Sequence, residues 1–217
     1  FDPERYPRRS FMADGTLRLV YAGPLSPTYE LDVVLAAVAR LRRLRPELPV
    51  GLDLYGRDYG EVPLPAIAAR LGVADRVTFH GRIPFEAVPG ALAAADVGLS
   101  PTRRNPFTDL SISTKLFEAA AMGKPVVASR LPLVERTFPP GSIVLYEPGD
   151  PDDLARAILG LVDDPAGRAA RVERTLARAR ELAWEREAER YVDVVERLAV
   201  DGRRRPSGAV PPARTVG

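Results

Sequence analysis

Residues 106–129 read Pro-Phe-Thr-Asp-Leu-Ser-Ile-Ser-Thr-Lys-Leu-Phe-Glu-Ala-Ala-Ala-Met-Gly-Lys-Pro-Val-Val-Ala-Ser. A polar loop with one acid, Asp109, runs into a short helix bearing Lys115 and Glu118. Gly123-Lys124-Pro125 breaks that helix, and Val126-Val127-Ala128 follows as a buried-strand run. A helix that opens at the edge of a parallel sheet offers free N–H groups to an anion. Lysine can meet a phosphate as a point charge, and a carboxylate can accept from two vicinal hydroxyls. Lys115 and Glu118 are three residues apart and therefore share a helix face. By pattern alone they suit a surface ion pair worth about a few tenths of a kcal/mol just as well, and Asp109 could equally cap the helix.

Outward from this stretch, strands alternate with helices. Leu17–Ala22 is a strand run stopped by Gly23, and Leu31–Leu44 has apolar residues at helical spacing, closed by Pro46. Val50–Tyr55 is the next strand, stopped by Gly56, and residues 67–71 end a second helix at Gly72. A third strand at 76–79 stops at Gly81, a helix is expected over 85–95, and a fourth strand at 97–99 ends at Ser100-Pro101. After the helix of the central stretch come strands at 125–129 and 142–145. Asp150-Pro151-Asp152-Asp153 opens a further helix, with acids in its first turn. Helices at 166–182 and 185–198 complete the pattern. Such alternation predicts βα units: an α/β, Rossmann-like three-layer domain with about six parallel strands, whose ligand sits at the carboxyl ends of the strands.

The 217 residues carry a net charge of +2, with 46% hydrophobic and 28% charged residues. That suffices for a sizeable core, and it lacks the dense basic face of a dedicated nucleic-acid binder, so no nucleic-acid partner is expected. No cysteine is present, which excludes disulfides, zinc–thiolate sites and thiol catalysis and is compatible with a reducing compartment. No apolar run is long enough for a transmembrane helix. The chain opens on Phe1 rather than Met, so it is expected to be a fragment or a processed product. Residues 17–200 read as the domain, and 201–217, rich in Arg, Pro and Gly, as a disordered tail.

Several residues could carry chemistry. Gly23 and Gly56 end strands, where a glycine admits a ligand close to the backbone. Arg57, in the glycine-bracketed loop Gly56-Arg57-Asp58-Tyr59-Gly60, could reach a phosphate or be a solvated loop residue. Arg103 and Arg104 follow a strand end, as diphosphate clamps or as a solvated pair. His80 is the only histidine; it cannot build a triad or a metal cluster alone, so a packed or backbone-bonded role is expected, and no metal site.

In order and spacing, the motifs together resemble the C-terminal domain of glycosyltransferase family 4, retaining enzymes of the GT-B fold. Val20-Tyr21-Ala22-Gly23 and Tyr29-Glu30-Leu31-Asp32 resemble its opening strand and turn. Residues 52–56 resemble its second strand and glycine loop. Val77-Thr78-Phe79-His80-Gly81-Arg82-Ile83-Pro84 and Ala94-Ala95-Asp96-Val97-Gly98-Leu99-Ser100-Pro101 resemble its next two blocks. Lys115-Leu116-Phe117-Glu118-Ala119, then Met122-Gly123-Lys124-Pro125-Val126-Val127-Ala128, resembles its "K-L-x-E…G-x-P-V" block. Glu147-Pro148-Gly149-Asp150 and Trp184 also have counterparts.

The resemblance implies a donor site for a nucleotide-diphosphate sugar, with no separate cofactor. Glu118 would hold the ribose hydroxyls, and Lys115 and Leu116 would lie by the phosphates. The backbone at Arg82 and Ile83 would hold the base, while Asp109, Leu110 and Ser111 would touch the donor sugar. Lys115 and Asp109 form the expected catalytic pair. Thr114 joins Gly23, Gly56, Arg57, Arg103 and Arg104 in the substrate-binding set. Two departures concern charge. Leu110 stands eight positions before Glu118, where the family has its first glutamate, with Asp109 beside it. Pro24 and Tyr29 or Glu30 stand where the family often has cations, so Lys115, Arg103 and Arg104 are expected to substitute. A third departure is length, which implies a missing N-terminal domain holding the acceptor, an isolated half without turnover, and residues 1–16 as the remnant of the interdomain linker. Trp184, Tyr191 and Val195 would pack on that missing half and lie exposed here. The full enzyme is expected in the cytoplasm, with peripheral association at the inner face of the membrane among its options. The alternative is a nucleotide-binding module or degenerate copy without turnover. An epimerase of the same architecture would need an acid/base pair and more histidine.

Overall fold

Six strands form one parallel sheet in the order β3-β2-β1-β4-β5-β6 in the computed structural model, which describes residues 1–7 and 9–204. They are β1 (Leu17–Ala22), β2 (Val50–Tyr55), β3 (Val77–Gly81), β4 (Val97–Ser100), β5 (Val126–Ser129) and β6 (Val144–Tyr146). The helices are α1 (Leu31–Leu44), α2 (Leu64–Arg70), α3 (Val88–Ala94), α4 (Thr114–Ala121), α5 (Pro132–Thr137), α6 (Pro151–Asp163), α7 (Pro165–Glu181) and α8 (Trp184–Arg204). The strand order reverses direction between β1 and β4, which opens a crevice at the carboxyl ends of those strands.

The sheet separates two apolar cores, and strand alternation supplies both. β1 sends Leu17, Leu19 and Tyr21 into one core, shared with α1, α2 and α6, and Val20 into the other, shared with α3, α4 and α5. In α6, the Asp150 side chain accepts from the N–H groups of Asp152 and Asp153 at 2.9 and 3.0 Å, and Pro151 opens the helix. α4 stops after two turns. Gly123 has φ +65°, its N–H donates to Ala120 O, and the Lys124 N–H donates to Ala119 O, the paired bonds of a Schellman ending. The Lys124 ammonium then donates to Ala93 O and Ala95 O, at 2.8 Å each, and ties the end of α4 to the end of α3.

Several bounds differ from those read in the sequence. β3 runs two residues further, to Gly81, and β6 spans Val144–Tyr146. The helix expected over 85–95 is a 3-10 turn, Phe85–Ala87, followed by α3, because Pro89 begins a new helical segment. α5 was not anticipated. Residues 201–204, placed in a disordered tail, continue α8; the rest of that expectation, 205–217, lies outside the described residues.

The chain divides into two compact units, Phe1–Ala179 and from Arg180 onward. The segment 1–16, expected as a linker remnant, belongs to the first. Buried Asp96 fastens it, accepting from the N–H groups of Met12 and Arg18 at 2.8 Å each, with the Arg9 guanidinium 3.6 Å away. In the second unit, α8 exposes Trp184, Tyr191, Val192, Val194, Val195 and Leu198.

Candidate functional site

Two strand ends are pressed together to form the floor of the site. The Gly23 N–H donates to Tyr55 O and the Gly56 N–H to Gly81 O, both at 2.8 Å. A Cβ on Gly56 would collide with the Gly23 carbonyl, and a Cβ on Gly23 would collide with Cε of Lys115. Only glycine fits at either position while the lysine lies where it does. Above this floor is a cavity of about 560 Å³, within the range of small-molecule sites. Ala22, Gly23, Pro24 and Tyr29 line it from the β1 side, and Tyr55, Gly56, Arg57 and Tyr59 from the β2 side. Arg82, Ile83, Phe85 and Val88 follow β3, and Thr114, Lys115 and Glu118 come from α4.

α4 presents its first turn to this cavity. Ser113 occupies the N-cap position in extended backbone, yet its side chain makes no capping bond, so no side chain competes for the first-turn N–H groups. The Lys115 ammonium sits 3.7 Å from the centroid of the Tyr29 ring and 5.3 Å from that of Tyr21, with a long hydrogen bond of 3.4 Å to Ser113 Oγ. Burial lowers its pKa to about 8, against the field of Glu118, which favours the charged form. Tyr21 is itself fixed, donating to Pro24 O at 2.7 Å, and burial pushes its phenol far above the ordinary range. Lys115 and Glu118 form no ion pair with each other; both face the same space. Arg57 and Arg82 also line it with no carboxylate in ion-pair range among the described residues, so three cations face one acid.

Eight sequence-derived candidates thus meet in one cavity: Gly23, Gly56, Arg57, Arg82, Ile83, Thr114, Lys115 and Glu118. The other six lie elsewhere. Arg103 pairs with Asp32 at 3.1 Å and donates to Pro27 O at 3.2 Å. Arg104 pairs with Asp109 at 3.1 Å, and Asp109 does not cap α4. Leu110 points outward, 77% exposed. Leu116 is a core side chain, and with Ser111 it borders a second cavity of about 210 Å³ under the 107–113 loop. His80 bonds a side chain rather than backbone: Nε2 lies 2.7 Å from Asp53 Oδ1, and the ring stacks on Tyr55 at 4.1 Å. Among the described residues, no group of three or more His, Asp and Glu is placed to hold a metal ion.

Sequence reading missed the aromatic residues of the cavity, Tyr29, Tyr55, Tyr59 and Phe85, as site components. The signal was available for Tyr55 and Tyr59, which directly flank Gly56-Arg57-Asp58. It also missed Glu30, which is fully buried beside the site. Glu30 Oε1 accepts from Tyr146 Oη at 3.1 Å and lies 3.2 Å from Ser129 Oγ. Burial raises its pKa.

A family model described as "Glycosyl transferases group 1" matches residues 16–164. The D-inositol 3-phosphate glycosyltransferase of Stackebrandtia nassauensis is 34% identical over 212 residues, covering 92% of this chain and 47% of the relative. That of Streptomyces avermitilis is 34% identical over 197 residues, covering 86% and 41%. The chain thus spans about half the length of the curated relatives it matches. Among solved structures, sucrose-phosphate synthase from Thermosynechococcus elongatus superposes with a TM-score of 0.77 at 23% identity, covering 93% of this chain and 51% of that one. Anabaena HepE in complex with UDP and glucose superposes with a TM-score of 0.71 at 23% identity, covering 92% and 55%.

Proposed function

Because the chain belongs to the group 1 glycosyl transferases, we propose that it is the donor half of a two-domain GT-B enzyme of the family 4 type, binding a nucleotide-diphosphate sugar whose sugar passes, with retention, to an acceptor held by the other half. The observation that carries this reading is that Lys115 and Glu118 leave α4 on one face and enter one cavity with no ion pair between them. The named ligands of HepE, UDP and glucose, are of the same chemical class.

In this reading the ribose hydroxyls donate to the Glu118 carboxylate. The base lies against Ile83, Phe85 and Val88, and the diphosphate lies over Gly23, facing Lys115 and the first turn of α4. When the bond from the sugar's anomeric carbon to the diphosphate oxygen breaks, that oxygen keeps the electron pair. The new bond forms from the acceptor hydroxyl on the same face of the ring, and the hydroxyl proton passes to the departing diphosphate oxygen. The chain's part is electrostatic: preorganised positive groups meet the charge that develops on the leaving group. The names of the relatives make D-inositol 3-phosphate the first acceptor to offer the complete enzyme.

Calorimetry and thermal shift against UDP, GDP, ADP and TDP test the site, since a ligand that binds the folded form stabilises it in proportion to the logarithm of its concentration. Glu118→Ala is expected to weaken the bound diphosphate by roughly 1–3 kcal/mol, the scale of lost charged hydrogen bonds. Unchanged affinity for every nucleoside diphosphate that the unaltered chain binds would remove Glu118 from the site.

A further inference from the structure

We propose that Arg57 is the second cation of the diphosphate site, acting beside Lys115 from the loop that follows β2. This rests on the reading of the cavity as a nucleotide-sugar site. A sugar-linked diphosphate carries about two negative charges, and a third develops once the sugar has left and the terminal phosphate can ionise fully near neutral pH. One lysine does not balance that charge, and Pro24, beside Gly23, adds none.

The choice among the arginines follows from geometry. Arg103 and Arg104 are held by Asp32 and Asp109 and do not line the cavity. Arg82 follows β3, which β2 separates from β1, so it lies at the far side of the cavity from Gly23. Arg57 follows β2, the immediate neighbour of β1. Its carbonyl accepts from the Leu25 N–H at 2.9 Å, and Leu25 and Asp58 form a parallel bridge, so the loops after β1 and β2 are zipped together. The close approaches found above run in series, from Lys115 to Gly23 and from Gly23 to Gly56, and Arg57 is the next residue. Its guanidinium lies 5.0 Å from the centroid of the Tyr59 ring. Stacking limits the freedom of the side chain and leaves the N–H fork open to bidentate bonding with phosphate oxygens.

The test titrates the chain with UDP, GDP and ADP, and separately with uridine, guanosine and adenosine. Arg57→Ala is expected to weaken the preferred diphosphate about tenfold, the low end for a charge-assisted contact, while its nucleoside binds within about twofold of the unaltered chain. Arg57→Lys should fall between, since it restores charge without the fork. The inference is overturned if Arg57→Ala binds the diphosphate as tightly as the unaltered chain. It is equally overturned if diphosphate and nucleoside weaken together, which would make Arg57 a support of the loop. An unaltered chain that binds none of the six ligands would instead strike the nucleotide-site reading itself.

Discussion

Lys115 is seated against two tyrosine rings, Tyr29 and Tyr21, and that seat sets how the site responds to pH. Its ammonium has a pKa of about 8 in the ligand-free protein, lowered by burial. A bound diphosphate favours the charged form and raises that pKa. Well below about pH 8 the lysine is charged in both states and adds no pH dependence; above it, binding must take up a proton, so affinity falls as pH rises. Calorimetry of the preferred diphosphate between roughly pH 7 and 9, in two buffers of different ionisation enthalpy, should register proton uptake that grows across this range. The matching nucleoside should show none. The sequence placed Lys115 and Glu118 on one face, because three-residue spacing on a helix is local. It did not reveal the Tyr29 and Tyr21 rings beside the lysine, because those contacts join the loop after β1 and β1 itself to α4, 86 and 94 positions apart. The pairing of Arg103 with Asp32 was hidden for the same reason: the partners lie 71 residues apart.

At the scale of elements, the site depends on how closely α4 lies on the sheet. Gly98, in β4, faces Ala119 of α4, and a Cβ there would come within 2.7 Å of the Ala119 methyl. Gly98→Val should therefore push α4 outward, costing about 1–3 kcal/mol of stability by overpacking and shifting Lys115 and Glu118 together. Urea unfolding and nucleotide titration should show both losses in this variant, whereas Glu118→Ala should show only the second. β1, α1 and β2 were legible to the residue, because apolar periodicity and flanking glycine or proline agree there. α5 was not: six residues make under two turns, too few for a period to show. Glu30 is a helix-start residue that sequence rules leave in solvent, and its burial depends on hydroxyls that β5 and β6 bring from a hundred residues on.

At the scale of the molecule, the first compact unit holds the sheet, both cores and every residue lining the cavity beside α4. A chain ending at Glu181 should therefore unfold cooperatively with a midpoint within about 3 °C of the full chain and keep its nucleotide affinity. Loss of binding on that truncation would show that α8 completes the site. The alternation of strands and helices made the fold class readable from end to end; the division at residue 180 was not readable, since helical periodicity runs across it. The whole sequence contains two lysines. Lys124 is buried with its ammonium bonded to two carbonyls, while Lys115 faces an open cavity with an unusually acidic ammonium. A mild acylating reagent at neutral pH therefore finds one reactive side-chain amine in this chain. The cavity carries its own single attachment point for a dye, a spin label or a covalent inhibitor, with no engineered residue needed.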